Sequence, residues 1–200
     1  MRRAMARRRD GGFTLVEIMM AVTVMTVGAL GVMALQQVAT RGNMGARQLT
    51  TATQVTRTWV ERLRRDAVQW TQRGQPDDTR YLSGAPATGM GEWQTPVTPP
   101  GDVDPQFPES FGFDYFGNDT TVGAEMVYCT HVRYRWLIPG DTLRAEVRTF
   151  WHRREGDKQQ FQNCAQGEED TVTNALAVGG SNDLSAVYAA TVIRRIPPQP

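Results

Sequence analysis

Hydrophobic positions along the chain fall into three regimes. From Ile18 to Leu35 the chain reads IMMAVTVMTVGALGVMAL, eighteen residues without a charge. With the flanking Phe13–Glu17 and Gln36–Val38 this gives about 26 helical residues, which at ~1.5 Å rise each cross a hydrocarbon core of ~30 Å. Beyond Gln37 the pattern turns amphipathic: Leu49, Ala52, Thr56, Trp59, Leu63, Ala67 and Trp70 recur every three or four residues and predict one buried helix face. The i,i+4 pairs Arg57/Glu61 and Arg62/Asp66 support the exposed side, and Gly74 and Pro76 end the element, so one helix is expected over roughly Phe13 to Gln72.

The next regime resists regular structure. Residues 74–123 contain eight Gly and seven Pro, which exclude a continuous helix or a central strand. Short apolar pieces, Tyr81–Leu82, Trp93, Phe107, Phe111, Phe113, Tyr115 and Phe116, are expected to pin this segment to the core, with FGFDYFGN as a compact turn or short strand. From Met126 the period becomes two. Val132, Tyr134, Trp136 and Ile138 alternate with His131, Arg133, Arg135 and Leu137, and Leu143, Ala145, Val147 and Thr149 alternate with Arg144, Glu146, Arg148 and Phe150. Pairing Ile138 with Leu143 across Pro139-Gly140-Asp141-Thr142 aligns both apolar faces and predicts an antiparallel hairpin. A third strand runs from Ser185 to Ile196 and stops at Pro197–Pro198. The fold class is α+β: a long N-terminal helix packed on a small antiparallel meander.

Charge divides the chain differently from its overall +1. Residues 1–12 carry +4, 13–40 carry −1 from Glu17 alone, 41–75 carry +5, and 76–200 carry −7. Arg2, Arg3, Arg7, Arg8 and Arg9 precede the apolar run and only Arg41 and Arg47 follow it closely, so the N-terminus stays cytoplasmic and the bulk of the chain goes outward. The run continues through Gln36–Thr40 without a small-residue cleavage site, which keeps the helix in the mature protein. Two Cys and two His leave little material for a metal centre or a nucleophile with its base, and no catalytic constellation stands out. The acidic head also argues against nucleic acid as a partner, despite the arginines of the stem.

The residues just before the apolar run carry the most specific signal. In RRRDGGFTLVEIMM, Gly11–Gly12 is an unhindered dipeptide at the membrane face, followed by Phe13 and, one helical turn on, by the carboxylate of Glu17. An isolated acid at the start of a membrane helix calls for a partner. The string GG/FTLVE resembles the processing motif of type IV prepilins and type II secretion pseudopilins. The resemblance covers about 45 residues, and the terminal hairpin with its WHRR exit looks most like that of the PilV-type minor pilins. It implies cleavage between Gly12 and Phe13 by a prepilin peptidase, methylation of Phe13, and a Phe13–Glu17 contact during assembly.

On this reading the segments are a prepilin leader at 1–12, a transmembrane and filament-core helix at 13–38, an amphipathic helix half at 39–73, a variable loop at 74–125 and a sheet head at 126–200. Gly28 and Gly31 would allow helix melting or close packing in a filament. The implied partners are prepilin peptidase, other minor and major pilins, the inner-membrane assembly platform and the lipid bilayer. The protein would sit in the inner membrane before assembly and in the periplasm and pilus afterwards. A type II secretion pseudopilin is the alternative, and an adhesin or DNA-uptake subunit a second one.

Two further sites are considered in the head. The expected hairpin register sets Cys129 opposite His152 with His131 on the same face, so Cys129, His131, His152 and Cys164 can be drawn as a zinc site. An oxidising compartment favours a Cys129–Cys164 disulfide, worth about 3–4 kcal/mol by loop-closure entropy, with both histidines as ordinary strand residues. Asp102, Asp104, Glu109, Asp114, Asn118 and Asp119 lack calcium-loop spacing and read as solvated acids. No cofactor and no metal is expected.

Overall fold

The computed structural model describes residues 12–73, 79–86, 89–96, 110–152, 164, 167–177 and 184–195. The leader up to Gly11, the helix-ending Gly74 and Pro76, the apolar Phe107, the acids Asp102, Asp104 and Glu109, and the terminal Pro197–Pro198 lie outside these residues. In order come α1 (Leu15–Arg73), β1 (Gly112–Phe113), β2 (Tyr128–Ile138), β3 (Thr142–His152), α2 (Glu169–Ala177) and β4 (Leu184–Arg194), with short 3-10 turns at Leu82–Gly84 and Gly123–Glu125. The strands form one antiparallel sheet in the order β1-β2-β3-β4. The fold is α+β, with a long N-terminal helix and a small antiparallel sheet. The chain divides into two compact units, Met1–Gly45 and Ala46–Pro200.

In the second unit the amphipathic stripe of α1 builds the core. Ala52, Val55, Thr56, Trp59, Val60, Leu63 and Trp70 are buried and cluster with Val132, Tyr134, Leu143, Ala145, Val147, Trp151 and Ile193 of the sheet. Trp59 meets Tyr81 edge-on at 5.7 Å and Trp70 meets Trp136 at 5.6 Å. Aromatic pairs of this kind add to the ~2–3 kcal/mol gained by burying each large side chain. Leu49 departs from the expected stripe and stays half exposed.

The charged pairs of α1 also depart from expectation. Arg62 and Asp66 are buried rather than solvated, because Asp119 and the backbone around Tyr81 pack onto that side of the helix. Arg62 bonds Asp119, while Asp66 accepts the N–H of Leu82 at 2.9 Å and that of Tyr81. Burial holds the Asp66 carboxyl above its ordinary pKa, against the Leu82 N–H and the Thr79 hydroxyl, which lower it. Glu61 takes Arg64 at 3.0 Å, and Arg64 also reaches Thr191 of β4 at 3.1 Å.

The hairpin forms two residues away from the expected register. Its loop is three residues, Pro139 to Asp141, with Gly140 at φ +73°, so Ile138 pairs with Thr142. A bulge between Trp136 and Ile138 then brings Trp136 opposite Leu143 and Cys129 opposite Phe150 instead of His152. Each irregularity shifts the pairing by one, and two such shifts preserve which face a side chain occupies. The apolar faces therefore still coincide, although Ile138 at the hairpin tip is exposed.

Within the Gly/Pro-rich segment, FGFDYFGN supplies β1 and a tight turn. Asp114 Oδ1 accepts the N–H groups of Phe116 and Asn118, both at 2.8 Å. Gly117 sits at φ +85°, and a Cβ there would stand 2.9 Å from Thr51 Cγ2 on α1, so only glycine fits. Tyr81, Leu82 and Phe113 are buried as expected, whereas Tyr115 and Phe116 point outward. Residues 89–94 run along β2, with Gln94 and Val132 exchanging bonds at 2.8 and 2.9 Å. Trp93 consequently lies on the sheet face away from α1, against Arg133 and Arg148, and outside the main core.

Candidate functional site

Among the described residues the N-terminal unit runs from Gly12 and Phe13, which belong to no regular element, into α1 at Leu15. Thr14 caps the helix: its Oγ1 accepts the N–H of Glu17 at 3.3 Å and its carbonyl accepts the N–H of Ile18 at 3.2 Å. Thr14-Leu15-Val16-Glu17 thus has the spacing of a capping box, and the Glu17 carboxylate sits in the first turn, where the helix dipole favours it. The T-x-x-E spacing was available in the sequence as the signal for this helix start. Phe13 precedes the cap and is 79% exposed.

Gly12 has no structural reason to be glycine among the described residues. Its φ lies outside the left-handed region, and no atom stands within 4 Å of a Cβ built on it. Gly28 and Gly31 are equally open, and α1 runs unbroken through both.

Fifteen large apolar side chains between Phe13 and Val38 are exposed, and none in this stretch is buried. At ~1.5 kcal/mol or more each, leaving them in water costs on the order of 20 kcal/mol, so lipid or neighbouring protein must cover them. By length and composition this helix can cross a bilayer. The hydroxyls within it are satisfied internally: Thr23 donates to Met20 O and Thr26 to Thr23 O, both at 2.8 Å. No polar side chain of these threonines is left unpaired in a low-dielectric surrounding.

In the second unit Cys129 and Cys164 are joined in a disulfide, Cα to Cα 5.6 Å, packed with Phe150 and Val172. As disulfide sulfurs they are not thiolate ligands for zinc. His131 is buried, and its Nδ1 accepts from Arg148 Nη2 at 2.9 Å, while His152 pairs in register with Leu184. Arg148 is itself buried and also donates to Thr173 Oγ1 at 2.8 Å and Glu169 O at 2.9 Å, tying α2 to the sheet. Asp114 and Asn118 bond each other at 3.0 Å inside the turn, and Asp119 is committed to Arg62 and Ser110.

No curated protein and no solved structure matches this chain. Residues 7–33, however, match the family model described as the prokaryotic N-terminal methylation motif. That span contains Gly12, Phe13, the Thr14 cap, Glu17 and most of the exposed apolar helix.

Proposed function

We propose that this chain is a minor pilin of a type IV pilus, of PilV type, with no catalysis of its own. Prepilin peptidase cuts between Gly12 and Phe13 and methylates the new amino group. The helix from Phe13 to Val38 holds the protein in the inner membrane and then enters the filament core. Glu17, one turn from the new ammonium, compensates it and guides docking against other pilins, while Gly28 and Gly31 allow close approach or local melting there. The observation that carries this reading is the match over residues 7–33, joined to an apolar helix exposed from end to end.

The test begins with the N-terminus. Mass spectrometry of the protein from native membranes is expected to find N-methylated Phe13 as the first residue, and an intact Met1 would overturn the assignment. Sheared surface filaments separate the pilus from the secretion system that shares this motif. The chain should be present in them, and its deletion should reduce piliation with secretion unchanged; the reverse pattern would make it a pseudopilin.

A further inference from the structure

Two large aromatic side chains stand outside both apolar clusters of the head. Trp93 and Tyr188 lie on the sheet face turned away from α1 and meet edge to face at 6.1 Å, and Tyr188 is 58% exposed. Each is held by a regular part of the fold. Tyr188 stands on β4 in the cross-strand row His131–Arg148–Tyr188, and Trp93 belongs to the segment along β2, where Gln94 and Val132 exchange backbone bonds. The guanidinium carbons of Arg133 and Arg148 lie 4.7 and 4.5 Å from the centroid of the Trp93 ring, which holds the indole on the sheet. The pair therefore adds little to the core that α1 and the sheet build.

Between these rings and the next row, Arg133–Glu146–Ala190, a cleft of about 400 Å³ opens. That volume falls within the ~300–1,000 Å³ of small-molecule sites. Ala190 is exposed and its small side chain leaves the space free, while Arg133, Arg144 and Glu146 form the polar end. The charges there answer one another. Arg133 Nε donates to Glu146 Oε2 at 2.9 Å, its Nη2 bonds the same oxygen, and Arg144 Nε stands 2.9 Å from Oε1. The Arg144 side chain is 44% exposed, so it also faces solvent.

We propose that this cleft binds an uncharged saccharide, a glucopyranose-type unit of a β-linked glycan. The C–H groups of a sugar carry slight positive charge and pack on the negative faces of aromatic rings. Two aromatic walls suit a pyranose whose hydroxyls are all equatorial, because both of its faces then bear only C–H groups. Its hydroxyls donate and accept alike, which matches an end that offers guanidinium donors beside a carboxylate acceptor. Other ligand classes fit worse. A carboxylate or phosphate has to compete with Glu146 for both arginines, and an organic cation faces two guanidiniums. A wholly apolar ligand strips water from three charged groups without replacing its bonds. The sugar leaves the Arg133–Glu146–Arg144 network intact, and walls carried on paired backbone are in place before it arrives, so little freedom is lost on binding. The proposal concerns the head alone and does not depend on processing of the N-terminus.

The experiment uses the full chain, its disulfide intact, in polyoxyethylene micelles, because glycoside detergents carry the same chemistry as the ligand. Cellotetraose and N-acetylated chitotetraose are titrated by calorimetry, beside tetragalacturonate as an acidic oligosaccharide. At least one neutral sugar is expected to bind with a Kd of about 1 mM or below, and to keep that affinity when salt is raised to about 0.5 M. Tyr188→Ala and Ala190→Trp, both at exposed positions, should each weaken it about tenfold. Tyr115→Ala, in the turn after β1, should leave it unchanged. Ala190→Leu serves if the larger ring disturbs the circular dichroism spectrum. Absence of binding by both neutral sugars, affinity unchanged in the Tyr188 and Ala190 variants, an equal loss in Tyr115→Ala, or tighter binding of tetragalacturonate that fades with salt would overturn the proposal.

Discussion

The guanidinium of Arg62 meets the carboxylate of Asp119 at 2.7 Å, joining α1 to the turn after β1 across 57 residues of chain. The Arg62 side chain is 5% exposed and also lies over the rings of Trp59 and Phe113, at 5.0 and 5.8 Å. Removing one partner of a buried pair leaves a charge that neither water nor protein compensates. Asp119→Ala should therefore lower the unfolding free energy by about 3 kcal/mol in denaturant titrations. Arg62→Met should cost less, because the apolar stem is replaced and Asp119 keeps its bond to Ser110. A loss below about 1 kcal/mol for Asp119→Ala would show the pair to be solvated.

Acid sensitivity should follow from His131. Burial and the neighbouring Arg148 push its pKa down to about 4 from 6.5. Between those values the unfolded imidazole binds a proton that the folded one refuses, so stability falls as pH drops from 6.5 towards 4, on the order of 3 kcal/mol across the window. His131→Gln keeps an acceptor for Arg148 and removes the titration. Its unfolding midpoint should decline less between pH 7 and 4.5 than that of the parent, and parallel profiles would contradict this account.

Thiol chemistry checks the Cys129–Cys164 bridge, whose partners are 35 residues apart. Without reductant, alkylation of the folded protein should label neither position. The double change Cys129→Ser, Cys164→Ser should cost about 3–4 kcal/mol by loop-closure entropy. Position 164 should then no longer be held against Phe150 and Val172, with a matching drop in the thermal midpoint. Labelling at either cysteine before reduction would count against the bridge.

Processing and assembly should separate by mutation. Gly12 has open space around it, so Gly12→Leu should leave the fold intact and yet block cleavage, visible as an unprocessed band on gels. Glu17→Ala keeps the Thr14 cap and the apolar helix. Cleavage should proceed, while incorporation into sheared filaments falls several-fold. Normal incorporation of Glu17→Ala would remove the assembly role given to this carboxylate.

The sequence by itself determined what depends on near neighbours along the chain. The uncharged run from Ile18 to Leu35 is apolar enough to read as membrane-crossing whatever surrounds it. The GG/FTLVE string is read residue by residue, so the family match over residues 7–33 was legible in the same letters. The period-two stretches on either side of Gly140 determined a hairpin with the right faces, because two single-residue shifts cancel in a pattern of period two.

Only the tertiary structure decided which charges are buried. Arg62 and Asp66 have the spacing of a solvated i,i+4 pair, and nothing within α1 distinguishes them from Arg57 and Glu61. Their burial comes from Asp119 and from the backbone at Tyr81 and Leu82, partners that chain topology brings in from outside the helix. The same holds for His131, Arg148 and Trp93, which alternation assigned to a polar face or to the core before α2 and residues 89–94 came to lie against the sheet. Periodicity reports the side an element presents; what covers that side is settled by contacts between residues far apart in the chain.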